Sequence, residues 1–149
     1  MRFMMLMIPK VYQGTDGKSP ADDYAPSAEA VAKMTRYNER LAQAGALIAL
    51  DGLHPPGKAA RVSFRPGEVQ ITEGPFAEAK EVLGGYWMIQ AESRQGAVEW
   101  ARRCPAGDGD VIEIRQVFDA SDWPEDVRKA AESTTVQAAV DGHARRASS

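Results

Sequence analysis

Glu113 and Arg115 stand two apart in a run, residues 111–118, that alternates apolar and polar side chains as an extended strand does. Period-two geometry sends both charges to one side with Val111 and Val117, away from Ile112, Ile114, Gln116 and Phe118. A carboxylate and a guanidinium on one strand face have two readings. In one, Arg115 grips the carboxylate or phosphate of a ligand; in the other, the charges form an ion pair joining two subunits. A second group, Glu73, Glu78, Lys80 and Glu81, surrounds Gly74-Pro75-Phe76. Carboxylates beside an ammonium can exchange protons with a substrate once burial shifts their pKa values. Gly74, Pro75 and Phe76 also describe a rigid turn that closes a strand, with Phe76 as its anchor. A third group is His54 with Asp51 three residues earlier: a general base and its partner, or a surface loop leading into Pro55-Pro56.

Other chemistries find little support. The single cysteine, Cys104, lies on a buried helical stripe just before Pro105 and reads as an inert core thiol. One cysteine and two distant histidines, His54 and His143, supply no metal-ligand set, and no cofactor is called for. Gly107-Asp108-Gly109 leads into a strand, whereas a phosphate-cradling glycine loop must open a helix.

Positioning these groups falls to a regular succession of elements. Residues 2–8 and 46–53 are apolar on both faces, as strands are when both sides of their sheet are covered. Between them lies a long loop over 9–27, then a helix capped by Ser27, with Val31, Met34, Tyr37, Leu41 and Ala44 as its buried stripe and Gly45 at its end. Arg65-Pro66-Gly67-Glu68 turns a hairpin between 61–64 and 69–72. Residues 86–92 form a strand, Ser93 caps a second helix carrying Ala97, Trp100, Ala101 and Cys104, and Pro105 stops it. Residues 121–125 have the chemistry of a helix start, with a short helix to about residue 131 and a frayed chain beyond Ser133.

This arrangement is an α+β domain over 1–120 followed by a C-terminal extension over 121–149. Two helices cover one face of an antiparallel sheet, yet the first two strands are apolar on both faces. The uncovered face calls for a lid, and the economical lid is the same face of a second copy, which predicts a homodimer. At 149 residues the chain can bury a core without staples. Its net charge of −3 offers no general attraction to nucleic acid or anionic membrane, and no local basic patch stands out. One cysteine suits a reducing compartment, residues 3–8 are too short for a secretory signal, and no apolar run approaches a bilayer span; the expectation is a cytoplasmic protein.

The stretch from Thr72-Glu73-Gly74-Pro75-Phe76-Ala77-Glu78-Ala79-Lys80-Glu81 to Leu83-Gly84-Gly85-Tyr86 resembles the signature of the DGPF subgroup of the YCII-related family. Asp51-Gly52-Leu53 with Pro55, Ala97 with Trp100 and Ala101, and Ile112-Glu113-Ile114-Arg115 add to the likeness, which covers about residues 2–118. The resemblance implies a ferredoxin-like, dimeric α+β barrel fold. It also implies relatives proposed to be enzymes on the strength of a His and Asp dyad, for which this chain shows no matching positions. Glu73 stands where the subgroup has Asp, so the carboxylate reaches one methylene further.

Two functions follow as expectations. One is binding of a small molecule, or cofactor-independent acid/base catalysis, in a cavity at or near the dimer interface. Its catalytic candidates are Glu73, Lys80, His54 and Asp51, and its ligand-binding candidates are Phe76, Glu78, Glu113 and Arg115. The other is an interaction role: the resemblance implies association with an extracytoplasmic-function sigma factor, and the loop over 9–27 or the segment from Trp123 to Ala131 would then be the contact surface.

Overall fold

A computed structural model describes residues 1–13, 21, 23–76 and 81–147. They form two compact units, Met1–Val117 and Phe118–Ser149.

The first unit is built on strands β1 (Arg2–Ile8), β2 (Leu47–Gly52), β3 (Ala60–Arg65), β4 (Glu68–Glu73), β5 (Gly85–Gln90) and β6 (Val111–Gln116), with helices α1 (Ala28–Gln43) and α2 (Arg94–Arg102). Four strands make an antiparallel sheet in the order β2-β5-β1-β6, and β3 and β4 pair separately as a hairpin. The chain is therefore α+β, with a ferredoxin-like arrangement of sheet and helices. β1 lies between β5 and β6, an interior position that suits its unbroken run of apolar residues.

Side chains at paired positions share a face, so the register sorts the sheet into two surfaces. Phe3, Met5, Trp87 and Ile89 point to the side occupied by Tyr37 and Leu41 of α1 and Ala97 of α2, and together with Ala46 they form the core. Phe3, Met5, Leu41 and Ile89 are fully shielded from solvent. Each such side chain contributes about 1.5–3 kcal/mol by leaving water. Two polar groups at this interface are satisfied: the Trp87 indole N–H donates to Asn38 Oδ1 at 2.8 Å, and the Tyr37 hydroxyl donates to the Trp100 carbonyl at 2.9 Å.

Both helices start on serine caps. Ser27 Oγ accepts from the Ala30 N–H and Ser93 Oγ accepts from the Gly96 N–H, satisfying donors that the first turn leaves free. After α1 the chain reverses at Gly45, whose φ of 68° is in the left-handed region. The buried stripe of α1 is narrower than its sequence suggests. Tyr37 and Leu41 are buried and Met34 is half-buried, but Val31 and Ala44 are exposed. Val31 instead lines a groove with Val11, Tyr24 and Pro26.

One side of the hairpin is apolar except for Glu73 at its end, opposite Ala60. Val62 pairs with Ile71 and Phe64 with Val69, while Arg61, Ser63 and Arg65 with Glu68, Gln70 and Thr72 take the other side. All four apolar residues are exposed, Phe64 at 80% and Ile71 at 67%. A two-stranded ribbon of this kind is marginal until something covers its apolar side.

In the second unit, a 3-10 turn at Ala120–Asp122 is closed by a capping box between Asp119 and Asp122 and precedes α3 (Glu125–Ala131). The expected fraying after Ser133 gives way to a further helix, α4 (Thr134–Ala147). Ser133 Oγ accepts from the Val136 N–H at its start, and Gln137 donates to Asp141 one turn apart. Alanines along this stretch add helix propensity. No helix among the described residues is long and apolar enough to cross a membrane.

Candidate functional site

The sheet face turned away from α1 and α2 carries Asp51, Glu113 and Arg115 among apolar side chains. One cross-strand row runs Asp51, Tyr86, Leu6, Glu113 over β2, β5, β1 and β6; the next runs Ala49, Met88, Met4, Arg115. Leu6, Met4, Met88 and Tyr86 are half-buried, whereas Asp51, Glu113 and Arg115 are exposed. Apolar side chains thus hold the middle of the face and ionic ones its two edge strands. As expected from the alternation in β6, Ile112 and Ile114 pack toward the core and Glu113 and Arg115 point the other way. The two charges do not form an ion pair with each other.

Asp51 and Tyr86 are brought side by side by the close approach of β2 to β5. Gly85 makes that approach possible, since a Cβ there would lie 2.8 Å from the Asp51 carbonyl oxygen. The Tyr86 hydroxyl then donates to Asp51 Oδ2 at 2.7 Å. This hydrogen bond raises the Tyr86 pKa above the ordinary tyrosine value, with slight burial and the negative charge of Asp51 acting in the same direction. Such a pair presents a carboxylate with one oxygen engaged and a phenol that keeps its proton, both facing the row that ends in Glu113. Tyr86, Leu6, Met4 and Met88 share this face with Asp51, Glu113 and Arg115, and sequence reasoning did not single them out. The signal was present in the alternation of Tyr86 and Met88 against Trp87 and Ile89, but its meaning depends on knowing which strands pair.

The other candidates lie elsewhere. Glu73 is exposed at the end of β4, and Phe76 follows it, so both belong to the hairpin rather than to the four-stranded sheet. Gly74 is packed so tightly against the Pro56 carbonyl that no side chain fits, and its N–H donates to the Ala59 carbonyl at 2.7 Å. Phe76 is half-buried beneath the Arg61 guanidinium, 3.9 Å from its ring centroid, instead of anchoring the loop in the core. Glu78 and Lys80 lie outside the described residues. His54 is exposed, and no hydrogen bond joins it to Asp51. Gln13 exchanges two hydrogen bonds with the Val82 backbone, fixing the chain that leads from the motif into β5.

Cys104 is half-buried, and desolvation, with the Asp110 carboxylate adding to it, pushes its pKa up to about 11. A thiol so held is a poor nucleophile at neutral pH. Asp110 accepts from the Lys10 and Gly107 N–H groups at 2.8 Å each, which makes the glycine loop before β6 a structural clasp. Among the described residues no three His, Cys, Asp or Glu side chains are grouped to hold a metal ion.

Comparison with known proteins agrees with this architecture. An uncharacterized protein of Rhizobium meliloti (strain 1021) is 33% identical over 69 residues, 46% of this chain and 56% of the relative, so the match spans little more than half of that protein. The family model of the YCII-related domain matches residues 1–121, which include every strand and both helices of the first unit. On that match the chain belongs to the YCII-related family.

Proposed function

We propose that the sheet face bearing Asp51, Tyr86, Glu113 and Arg115 binds a small molecule and carries acid/base chemistry without a cofactor, enclosed by a second copy of the chain. The Tyr86–Asp51 hydrogen bond of 2.7 Å, on the same row as Glu113, is the observation that carries this reading. Support for the second copy comes from two apolar surfaces: Met4, Leu6 and Met88 on the open face, and Val62, Phe64, Val69 and Ile71 on the hairpin. Covering the face would exclude water from Asp51 and Glu113 and leave their carboxylates to act on a bound ligand as acid and base. Arg115, next to methionines instead of a carboxylate, would hold the anionic end of the ligand. The motif from Glu73 to Phe76 supports a proposed assignment to the DGPF subgroup.

Two measurements test the proposal. Sedimentation velocity should show a dimer that Leu6→Lys dissociates while far-UV circular dichroism stays unchanged. A monomer at micromolar concentration would overturn the enclosed site. Thermal shifts with a panel of small mono- and dicarboxylates should disappear in a Glu113→Gln/Arg115→Met double variant; shifts that persist would remove these residues from the site.

The C-terminal unit favours a second reading. Phe118, Val136 and Val140 are exposed there at 67%, 62% and 58%, an apolar surface suited to a protein partner. The proposed partner is an extracytoplasmic-function sigma factor. Co-purification that is lost on removing residues 119–149 would support it, and a complex insensitive to that truncation would exclude this surface.

A further inference from the structure

On the helical side of the first unit, opposite the proposed ligand face, α1 and α2 frame a small basic pocket. Lys33, Arg36 and Arg40 follow one another at spacings of three and four, which brings their side chains onto a single stripe of α1. Arg103, the C-cap of α2, joins them from the neighbouring helix, its guanidinium 4.9 Å from the Trp100 ring centroid. These four cations, with Tyr37 and Pro105, line an open hollow of about 180 Å³. Tyr37 makes a rigid floor: it is 2% exposed, its hydroxyl is tied to the Trp100 carbonyl at 2.9 Å, and its ring meets Trp87 edge-on at 6.0 Å.

Charge in this pocket is unbalanced. Lys33 pairs with Glu29 at 2.9 Å, but among the described residues no carboxylate pairs with Arg36, Arg40 or Arg103. Cations three or four residues apart on a helix repel and cost the helix a few tenths of a kcal/mol each. Elsewhere the chain uses the same spacings for opposite charges, as in Glu29 with Lys33 and Glu125 with Lys129. Three guanidiniums with no carboxylate partner among the described residues line one hollow, in a chain of net charge −3, and so mark a place where negative charge is to be supplied from outside.

The size of the hollow defines the ligand. Pockets for drug-sized molecules measure about 300–1,000 Å³, so 180 Å³ admits only the anionic end of a molecule. Planar guanidiniums match phosphate oxygens two at a time, and several of them together suit an anion with more than one phosphate. We propose that this pocket binds a diphosphate group, free or as the end of a phosphorylated small molecule. The concave, ion-sized shape favours a soluble diphosphate over a membrane surface, which would need no hollow. This site is independent of the acid/base face.

Isothermal titration of the full chain with sodium pyrophosphate and with a nucleoside diphosphate, at about 0.15 M salt, tests it. The expected result is saturable binding of pyrophosphate, weakened about tenfold by Arg36→Gln, Arg40→Gln or Arg103→Gln and unchanged by Lys129→Gln. Equal affinity for the nucleoside diphosphate would show that the diphosphate is the recognised part, and tighter binding would identify it as the end of a larger ligand. Thermal unfolding of each variant without ligand checks that these exposed substitutions leave the fold intact, and bound pyrophosphate should raise the midpoint of the parent chain. No saturation by about 10 mM anion, or equal losses in Lys129→Gln and the arginine variants, would overturn the proposal. So would binding confined to vesicles of anionic phospholipid.

Discussion

The two faces of the four-stranded sheet are built from the same strands and have reached different ends. On one, Phe3, Met5, Trp87 and Ile89 meet α1 and α2 and lose nearly all their exposure; on the other, Met4, Leu6, Met88 and Tyr86 remain half-buried among Asp51, Glu113 and Arg115. Both faces look alike along β1, which is apolar at almost every position. They differ in what the edge strands contribute, isoleucine and leucine to the covered face, ionic residues to the open one. A fold-building surface excludes charge because an unpaired buried ion costs several kcal/mol. The open face keeps its ions where water, a ligand or a partner can still reach them.

Adjacent methionines on β1 make that contrast measurable. Met5→Ala should cost about 2–5 kcal/mol in urea denaturation at every protein concentration, because it hollows a closed core. Met4→Ala should cost far less at high dilution, with a further loss appearing only at concentrations where the chain associates. Equal losses, independent of concentration, would mean that the open face is already sealed within one chain.

A smaller effect is expected at the polar contact of the covered face. Asn38→Ala leaves the Trp87 indole N–H buried without a partner and should destabilise by about 1–3 kcal/mol. Tyr86→Phe on the open face removes an exposed hydrogen bond and should change the urea midpoint little. A large loss from Tyr86→Phe would make that face structural.

The open face should also answer to pH. The Tyr86 pKa is raised on folding, so the contribution of its hydrogen bond is complete below the ordinary tyrosine value and is lost as pH rises through the raised one. Absorbance titration should find Tyr86 among the tyrosines that ionise late, together with Tyr12 and Tyr37, and Asp51→Asn should return one of the three toward the ordinary range. An unchanged titration would dissolve the Asp51–Tyr86 pair.

A separate signal is expected from Cys104 behind the covered face. With its pKa near 11, its alkylation in the native protein at pH 8 should run roughly a hundredfold slower than in urea. Comparable rates would show that the helical side opens readily.

Much of the fold was legible because its signals are local. Ser27 and Ser93 announce helix starts through a hydroxyl three residues from the N–H it accepts, and Pro66-Gly67 between two short apolar runs announces the hairpin. Alternation in 111–116 sorted Ile112 and Ile114 from Glu113 and Arg115 without any knowledge of their neighbours. The helix after Ser133 was missed because an exposed polar stretch rich in alanine lacks the apolar stripe that marks a packed helix. Val31 was assigned to the core because helical period says which residues share a face, not how far along the helix the sheet extends.

By itself, then, the sequence determined the elements, their order, the α+β class, the likeness to the YCII-related family and the side of β6 that bears the charges. Only the tertiary structure decided that Asp51 sits beside Tyr86, that Glu73 and Phe76 belong to a separate hairpin, and that Arg103 completes a basic pocket with α1. The reason is the range of the forces involved. Caps, turns and periodicity act over a few residues and leave their mark in a short window, whereas strand register and helix packing join residues 35 to 115 apart and are settled by the collective burial of the core.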